Sequence, residues 1–318
     1  MTILPFVCLF IGIIFGILVK NKNFVKYSEK ISTIALSLLM LVIGLGIGID
    51  KTIMNNLLKI GINCIIISFL AITFSVIFTV ICEKTVLPLK EIEKELENQN
   101  IIFEKINNNI DIDEEKKEDN LVWIMPISLM LGLFTGFLLQ DKVRSNIIDF
   151  SFTVFLTIIY ICVGISQGSD KAVLVYLKKL GFRMIWLSLA ILLGSMIGGI
   201  IAGKILNIPL KISLISASGM SYYSLTGAFM VKTFGLEIGT YGFIVNIMRE
   251  VLTILFMPFL IKISVGSPIA GGAAGNMDTM LMPVTKFVGS KLGMVTLLTG
   301  TILTFIVPFL LPILASIL

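Results

Sequence analysis

The 318-residue chain contains no histidine, and its four cysteines, Cys8, Cys64, Cys82 and Cys162, are scattered through apolar stretches without C-x-x-C spacing. These absences exclude a soft-metal site of familiar spacing and predict buried free thiols. They also leave no histidine-based nucleophile and general-base pair, so the chain does not read as an enzyme. Charge is scarce as well: 14% of residues are Asp, Glu, Lys or Arg, against 56% hydrophobic. A soluble core of this size neither needs nor keeps dispersed so much apolar surface, so the composition is that of an integral membrane protein.

Apolar stretches long enough to span a bilayer occur at roughly 3–19, 31–49, 60–82, 121–139, 147–167, 182–202, 238–261 and 292–317, which predicts eight transmembrane helices. The first has no basic residue before it and no small-residue cleavage pattern after it, so it is expected to remain as a helix. The net charge of +5 averages two unlike parts. Residues 83–120 hold twelve acids and six lysines, are rich in Asn and poor in aromatics, and read as a soluble linker.

Aligned with itself at an offset of 120, the chain matches 11–87 to 131–207 without a gap, with nineteen identities in 77 positions. Gly12 falls on Gly132, Gly16 on Gly136, Gly44 on Gly164, Gly48 on Gly168, and Asp50-Lys51 on Asp170-Lys171. Three spans per copy is an odd number, so the second copy enters the membrane from the opposite side, the inverted-topology arrangement of secondary transporters. The domains expected are a first three-helix repeat over 1–87, an acidic cytoplasmic linker over 88–120, a second, inverted repeat over 121–207 and a transport core over 208–318. The pairs Gly12/Gly16, Gly44/Gly48, Gly132/Gly136 and Gly194/Gly198 have the G-x-x-x-G spacing of helix-packing seams, and the Asp-Lys pairs read as helix-end charges.

After residue 207 the stretches "KISLISASGMSYYSLTGAFMVKTFG" and "SVGSPIAGGAAGNMDTMLMPVTKFVG" are too interrupted by Gly, Ser, Pro and Asn for clean spans. Irregular backbone at membrane depth is tolerated where it is buried or lines a cavity, so both predict re-entrant or broken segments. Each precedes one long span, and the spans share "LTILFMPFL" at 252–260 and "ILTFIVPFL" at 302–310, a second, weaker repeat. The fold predicted is thus all-α and polytopic, with eight spans, two broken segments and inverted repeats. An extracellular N-terminus leaves 17 Lys and Arg inside against 7 outside, which favours both termini outside a bacterial inner membrane.

Two acids lie in this apolar region. Glu250 sits roughly 17 Å from either end of the run 238–261, where a charge costs about 2.5 to 3.5 kcal/mol and faces a cavity, a partner or a transported ion. Asn246 shares its helix face and Arg249 stands beside it, and a structural ion pair of Arg249 with one acid is the plainer alternative. Asp278 lies in "GSPIAGGAAGNMDTMLMP", where Gly275 and Asn276 are expected to break the helix and bring Asp278 near Glu250. The glycine run has no G-K-[ST] after it and is no nucleotide cradle. Ser218, Gly219, Tyr222, Tyr223 and Ser224, with Ser216 and Ser221, offer neutral hydrogen-bonding groups from the first broken segment, or cap its backbone.

"SASGMSYYSLTGAF", "NIMRE" and "GNMDTMLMP", in that order, resemble the signatures of the bacterial lysine exporter family, the LysO-type membrane proteins. The resemblance covers nearly the whole chain outside the acidic linker. It implies eight spans with two re-entrant segments, export of L-lysine and toxic lysine analogues, and an essential acidic pair at the positions of Glu250 and Asp278. The chemistry suits a cationic substrate: exporting lysine against an inside-negative potential costs roughly 2.3 kcal/mol per charge per 100 mV, which exchange for one proton removes. The expected partners are lipid and a small cationic amino acid, with no nucleic acid, no metal and no cofactor beyond a coupling proton. The oligomeric state is left open, a homodimer included. A sodium- or proton-coupled importer of organic anions would share the architecture but needs a more basic site, and a channel would need a continuous polar file.

Overall fold

A computed structural model describes residues 3–18, 22–89, 127–139, 145–169 and 183–318. Among these residues every regular element is helical. With no water to satisfy peptide groups in a bilayer core, a chain this apolar closes its hydrogen bonds within helices. The elements are α1 (Ile3–Leu18), α2 (Lys22–Ile49), α3 (Lys51–Thr85), α4 (Ile127–Leu138), α5 (Ser145–Ser169), α6 (Met184–Leu206), α7 (Leu210–Ser218), α8 (Tyr223–Phe234), α9 (Leu236–Ile263), α10 (Ser267–Gly271), α11 (Leu281–Val288) and α12 (Ser290–Ile317). Six of these among the described residues are long and apolar enough to cross a membrane, so the protein is a multi-pass membrane protein. Val7–Leu18 and Ile127–Leu138, in the first and fourth expected spans, are shorter apolar helices. The linker expected at 88–120 lies outside the described residues beyond residue 89, as do Asp170 and Lys171. Asp50, at the α2–α3 junction, accepts the amide of Ile53 at 3.2 Å and so caps α3, as a helix-end charge does.

The glycine pairs are seams of close backbone contact. A Cβ added at Gly12 would run into the Ile161 carbonyl of α5 and stand 2.9 Å from Gly164 Cα, while one at Gly16 would meet Ile165 and Gly168. One at Gly132 would meet the Leu41 carbonyl of α2, and one at Gly136 would meet Leu45. Leu41 and Leu45 lie 120 residues before Ile161 and Ile165, so α1 on α5 and α4 on α2 are the same contact made twice, each joining the two aligned copies. Gly194 and Gly198 seat α6 on Phe74 and Leu70 of α3 in the same fashion. Within a bilayer such small-residue seams hold helices together by van der Waals contact.

Both broken segments share one plan: a short helix, a break, a second short helix, a glycine at positive φ and a long span. The first runs α7, break, α8, Gly235 (φ 93°) and α9. The second runs α10, a 3-10 turn at Gly272–Ala274, a turn through 280, α11, Gly289 (φ 88°) and α12. Only glycine takes that φ without steric cost, and here it turns the chain from short helix into span. The glycines are 54 residues apart, a spacing that places Pro258 opposite Pro312, whereas the shared "PFL" strings place it opposite Pro308; α12 carries both prolines. The two breaks touch. Ser221, at φ 68°, donates its amide to the Ala274 carbonyl at 3.0 Å and shares its hydroxyl with Thr304 Oγ1 at 2.6 Å and Gly300 O at 3.1 Å. A non-glycine residue in that conformation is strained, and these three contacts hold it there.

Candidate functional site

The acids meet where the second break passes α9. Glu250, half-buried, accepts the hydroxyl of Thr279 at Oε1 over 2.6 Å. Asp278, exposed, accepts the Thr279 amide at 2.7 Å through Oδ1. The break itself is a knot of backbone bonds: Gly275 N to Gly272 O at 2.9 Å, then Asp278 N and Met280 N both to Gly275 O at 3.0 and 2.7 Å. A Cβ on Gly275 would collide with the Thr279 hydroxyl and stand 2.7 Å from Glu250 Oε1 and 3.1 Å from Asp278 Oδ1. Both carboxylates therefore converge on one point over bare backbone, and only glycine leaves room there. Thr279 is a residue the sequence reading missed; its hydroxyl next to an acid in "MDTM" was the available signal.

Arg249 does not join them. Its side chain has no exposed surface, and its hydrogen bonds run to α3, α6 and the end of α10. Nε donates to Gly271 O at 3.3 Å, Nη2 to Ala270 O at 2.9 Å and Ser75 Oγ at 3.2 Å, and Nη1 to Ser195 Oγ at 2.7 Å and to the Met220 sulfur at 4.0 Å. These five acceptors use all five donors of a guanidinium. Among the described residues the guanidinium thus meets the carbonyls of the half-helix end α10, where the sequence offered only acids to pair with.

Asn246 and Asn276, read as site residues, are fully buried and hold backbone. Asn246 Nδ2 donates to Ser216 O of α7 at 2.9 Å and to Gly242 O at 3.1 Å, and Asn276 Nδ2 donates to Ile269 O of α10 at 2.7 Å. Ser218 and Ser216 bond back to Leu214 O and Ile212 O in their own helix, at 2.7 and 2.6 Å, so they satisfy backbone and leave no hydroxyl proton for a ligand. Gly219 lies against Thr226, whose hydroxyl donates to Tyr222 O at 3.0 Å and Gly219 O at 3.3 Å. Ser224 is buried. Tyr222 and Tyr223 are half-buried, and Tyr223 stacks on Phe243 with ring centroids 5.6 Å apart. The structure thus gathers Glu250, Asp278, Gly275 and Thr279 at one place and turns Arg249, Asn246, Asn276 and Ser218 to the support of the broken helices.

Glu83 is the other residue sequence reasoning passed over, as part of the acidic stretch. It ends α3, and its Oε1 accepts Gly266 N at 2.9 Å and Ser264 Oγ at 2.7 Å just before α10.

The family model described as lysine exporter LysO matches residues 6–93 and 127–315. The lysine exporter LysO of Escherichia coli strain K12 is 26% identical over 190 residues, covering 60% of this chain and 61% of the relative. A Haemophilus influenzae protein named as a candidate lysine exporter is 26% identical over 195 residues, covering 59% of this chain and 95% of its own length. No solved structure matches the chain. The match thus spans about three-fifths of the length of the E. coli relative, and it takes in both broken segments and both acids at the family-model level. The chain belongs to the lysine exporter LysO family, a family of transporters and not of enzymes.

Proposed function

We propose that the protein is a secondary transporter that exports L-lysine and cationic lysine analogues from the cytoplasm, exchanging each for a proton at Glu250 and Asp278. The observation that carries this reading is the convergence of the two carboxylates over Gly275 at the contact of the two breaks. An isolated carboxylate in an apolar bundle is costly. Two whose oxygens stand close together, with Asp278 exposed, suit a ligand that brings positive charge. A proton or a primary ammonium satisfies the same oxygens, so the two compete for the pair. Binding one releases the other, and exchange of monocations moves no net charge against the membrane potential.

Eight spans in two inverted three-helix repeats around the broken segments remain part of this proposal. The duplicated glycine seams support it: a contact repeated at a constant offset of 120, each time between different copies, is what a two-fold axis in the membrane plane produces. Both termini outside the inner membrane follow from the lysine distribution. Import of organic anions is disfavoured because Arg249, the cation next to Glu250 in the chain, has its donors engaged within the protein. Inside-out vesicles containing the protein are expected to accumulate labelled lysine when a proton gradient is imposed. Accumulation of an anionic substrate instead would replace this reading.

A further inference from the structure

Arg249 stands at a junction that the acid-pair chemistry does not use. Ser75 and Ser195, which accept its Nη2 and Nη1, are 120 residues apart, equivalent positions of the two aligned copies. Each serine passes the bond on: Ser75 Oγ donates to Ile191 O of α6 at 3.0 Å and Ser195 Oγ to Ala217 O of α7 at 2.8 Å. The other side of the guanidinium grips Ala270 O and Gly271 O, the last carbonyls of α10, where a cation is favoured by the helix dipole. At the opposite end of α10 the Glu83 carboxylate accepts Gly266 N, again the sign the dipole favours. The five-residue half-helix is thus held at both ends by charged side chains from spanning helices, and four residues past the Arg249 grip the chain reaches Gly275, then Asp278 and Thr279.

We infer that Arg249 is a positioning residue of the exchange site: braced by Ser75 and Ser195 from the two copies, it fixes the end of α10 and so presents Thr279 and Asp278 to Glu250. The inference rests on the acid-pair reading for its functional consequence but not for its geometry. A guanidinium suits the task because five donors in a plane engage two adjacent carbonyls and two flanking hydroxyls at once; an ammonium has three donors, and an aliphatic chain has none. All its acceptors are neutral, so its charge is not cancelled in any contact, and its hold does not change when the neighbouring acids gain or lose a cation.

The test uses the full-length protein in lipid nanodiscs and proteoliposomes, comparing Arg249→Lys, Arg249→Met, Ser75→Ala and Ser195→Ala. Two measurements are made on each: amide hydrogen exchange of the peptide spanning 267–281, and the lysine concentration giving half-maximal transport. Expected are faster exchange in that peptide with little change elsewhere, and a half-saturating lysine concentration raised about tenfold in each serine variant, from loss of one bond to a charged group. Arg249→Lys should fall between wild type and Arg249→Met on both scales. Unchanged exchange at 267–281 in the serine variants and in Arg249→Lys overturns the inference. So does exchange that rises throughout the chain with transport reduced only in proportion to folded protein, since that describes a fold-holding residue. If the wild-type protein moves no lysine, the acid-pair reading falls, and the exchange pattern alone then decides whether Arg249 positions the break. Should Arg249→Met fail to insert, the serine variants, which keep the guanidinium, carry the decision.

Discussion

Thr279→Val removes a single hydroxyl at nearly constant shape, and it acts on one bond: the 2.6 Å donation from Thr279 Oγ1 to Glu250 Oε1. Hydrogen bonds to charged groups contribute about 1.5 to 3 kcal/mol. Thr279 and Glu250 are each half-buried beside the exposed Asp278, so water replaces part of the loss and the low end applies. About 1.5 kcal/mol corresponds to roughly a tenfold change in an equilibrium constant. In the proposed function the bond orients the carboxylate that meets the ammonium, so the predicted effect is a half-saturating lysine concentration raised about tenfold, with maximal rate and membrane insertion near wild type. Thr279→Ser keeps a hydroxyl and should recover most of the affinity. The assay is lysine counterflow in proteoliposomes over a range of external lysine. A Thr279→Val protein with wild-type half-saturation would show that the orientation of Glu250 does not matter to substrate binding.

Gly275→Ala should abolish export with insertion intact, because the added methyl collides with the Thr279 hydroxyl and crowds Glu250 Oε1, scored as lost resistance to a toxic lysine analogue. Gly164→Leu and its counterpart Gly44→Leu should each lower the thermal stability of the purified protein to a similar extent, since the two residues seat equivalent seams, and overpacking of this kind costs about 1 to 3 kcal/mol or more; a large effect of one and none of the other would deny the equivalence. In a background lacking Cys8, Cys64, Cys82 and Cys162, a cysteine at exposed position 278 should react with a membrane-impermeant thiol reagent and be protected by lysine, whereas one at buried position 276 should not react.

The residues that announced themselves in the sequence are those whose chemistry contradicts their surroundings. Glu250 and Asp278 stand out in apolar stretches because charge there is costly, and Gly275 because glycine in a would-be span is wasteful unless backbone must come close. The glycine seams were legible for the same reason, and each of the four pairs lies in a close contact. What the sequence hid is what depends on a partner far along the chain. Ser75 and Ser195 are small hydroxyl residues in apolar helices and look like any other match between the copies until Arg249 is seen lying between them. Arg249 read as the natural partner of an acid, since nothing local reveals that α10 ends in carbonyls aimed at it. Glu83 opens a run of twelve acids and shares their composition, yet it caps α10 from the end of α3. The common plan of the two broken segments was less legible, because proline recurs four residues apart in α12 while the positive-φ glycine before each span has no sequence mark of its own.

The proposed function requires that Glu250 and Asp278 exchange lysine for protons. Its most direct measurement is the internal pH of proteoliposomes loaded with lysine and diluted into lysine-free buffer, with a dye reporting the lumen, for the wild-type protein, Glu250→Gln and Asp278→Asn. The lumen should acidify as lysine leaves through the wild-type protein, and neither variant, each amide keeping shape but unable to exchange a proton for a cation, should move lysine or protons. Lysine efflux with no pH change in the wild type, or lysine-driven acidification that persists in either variant, would contradict the account.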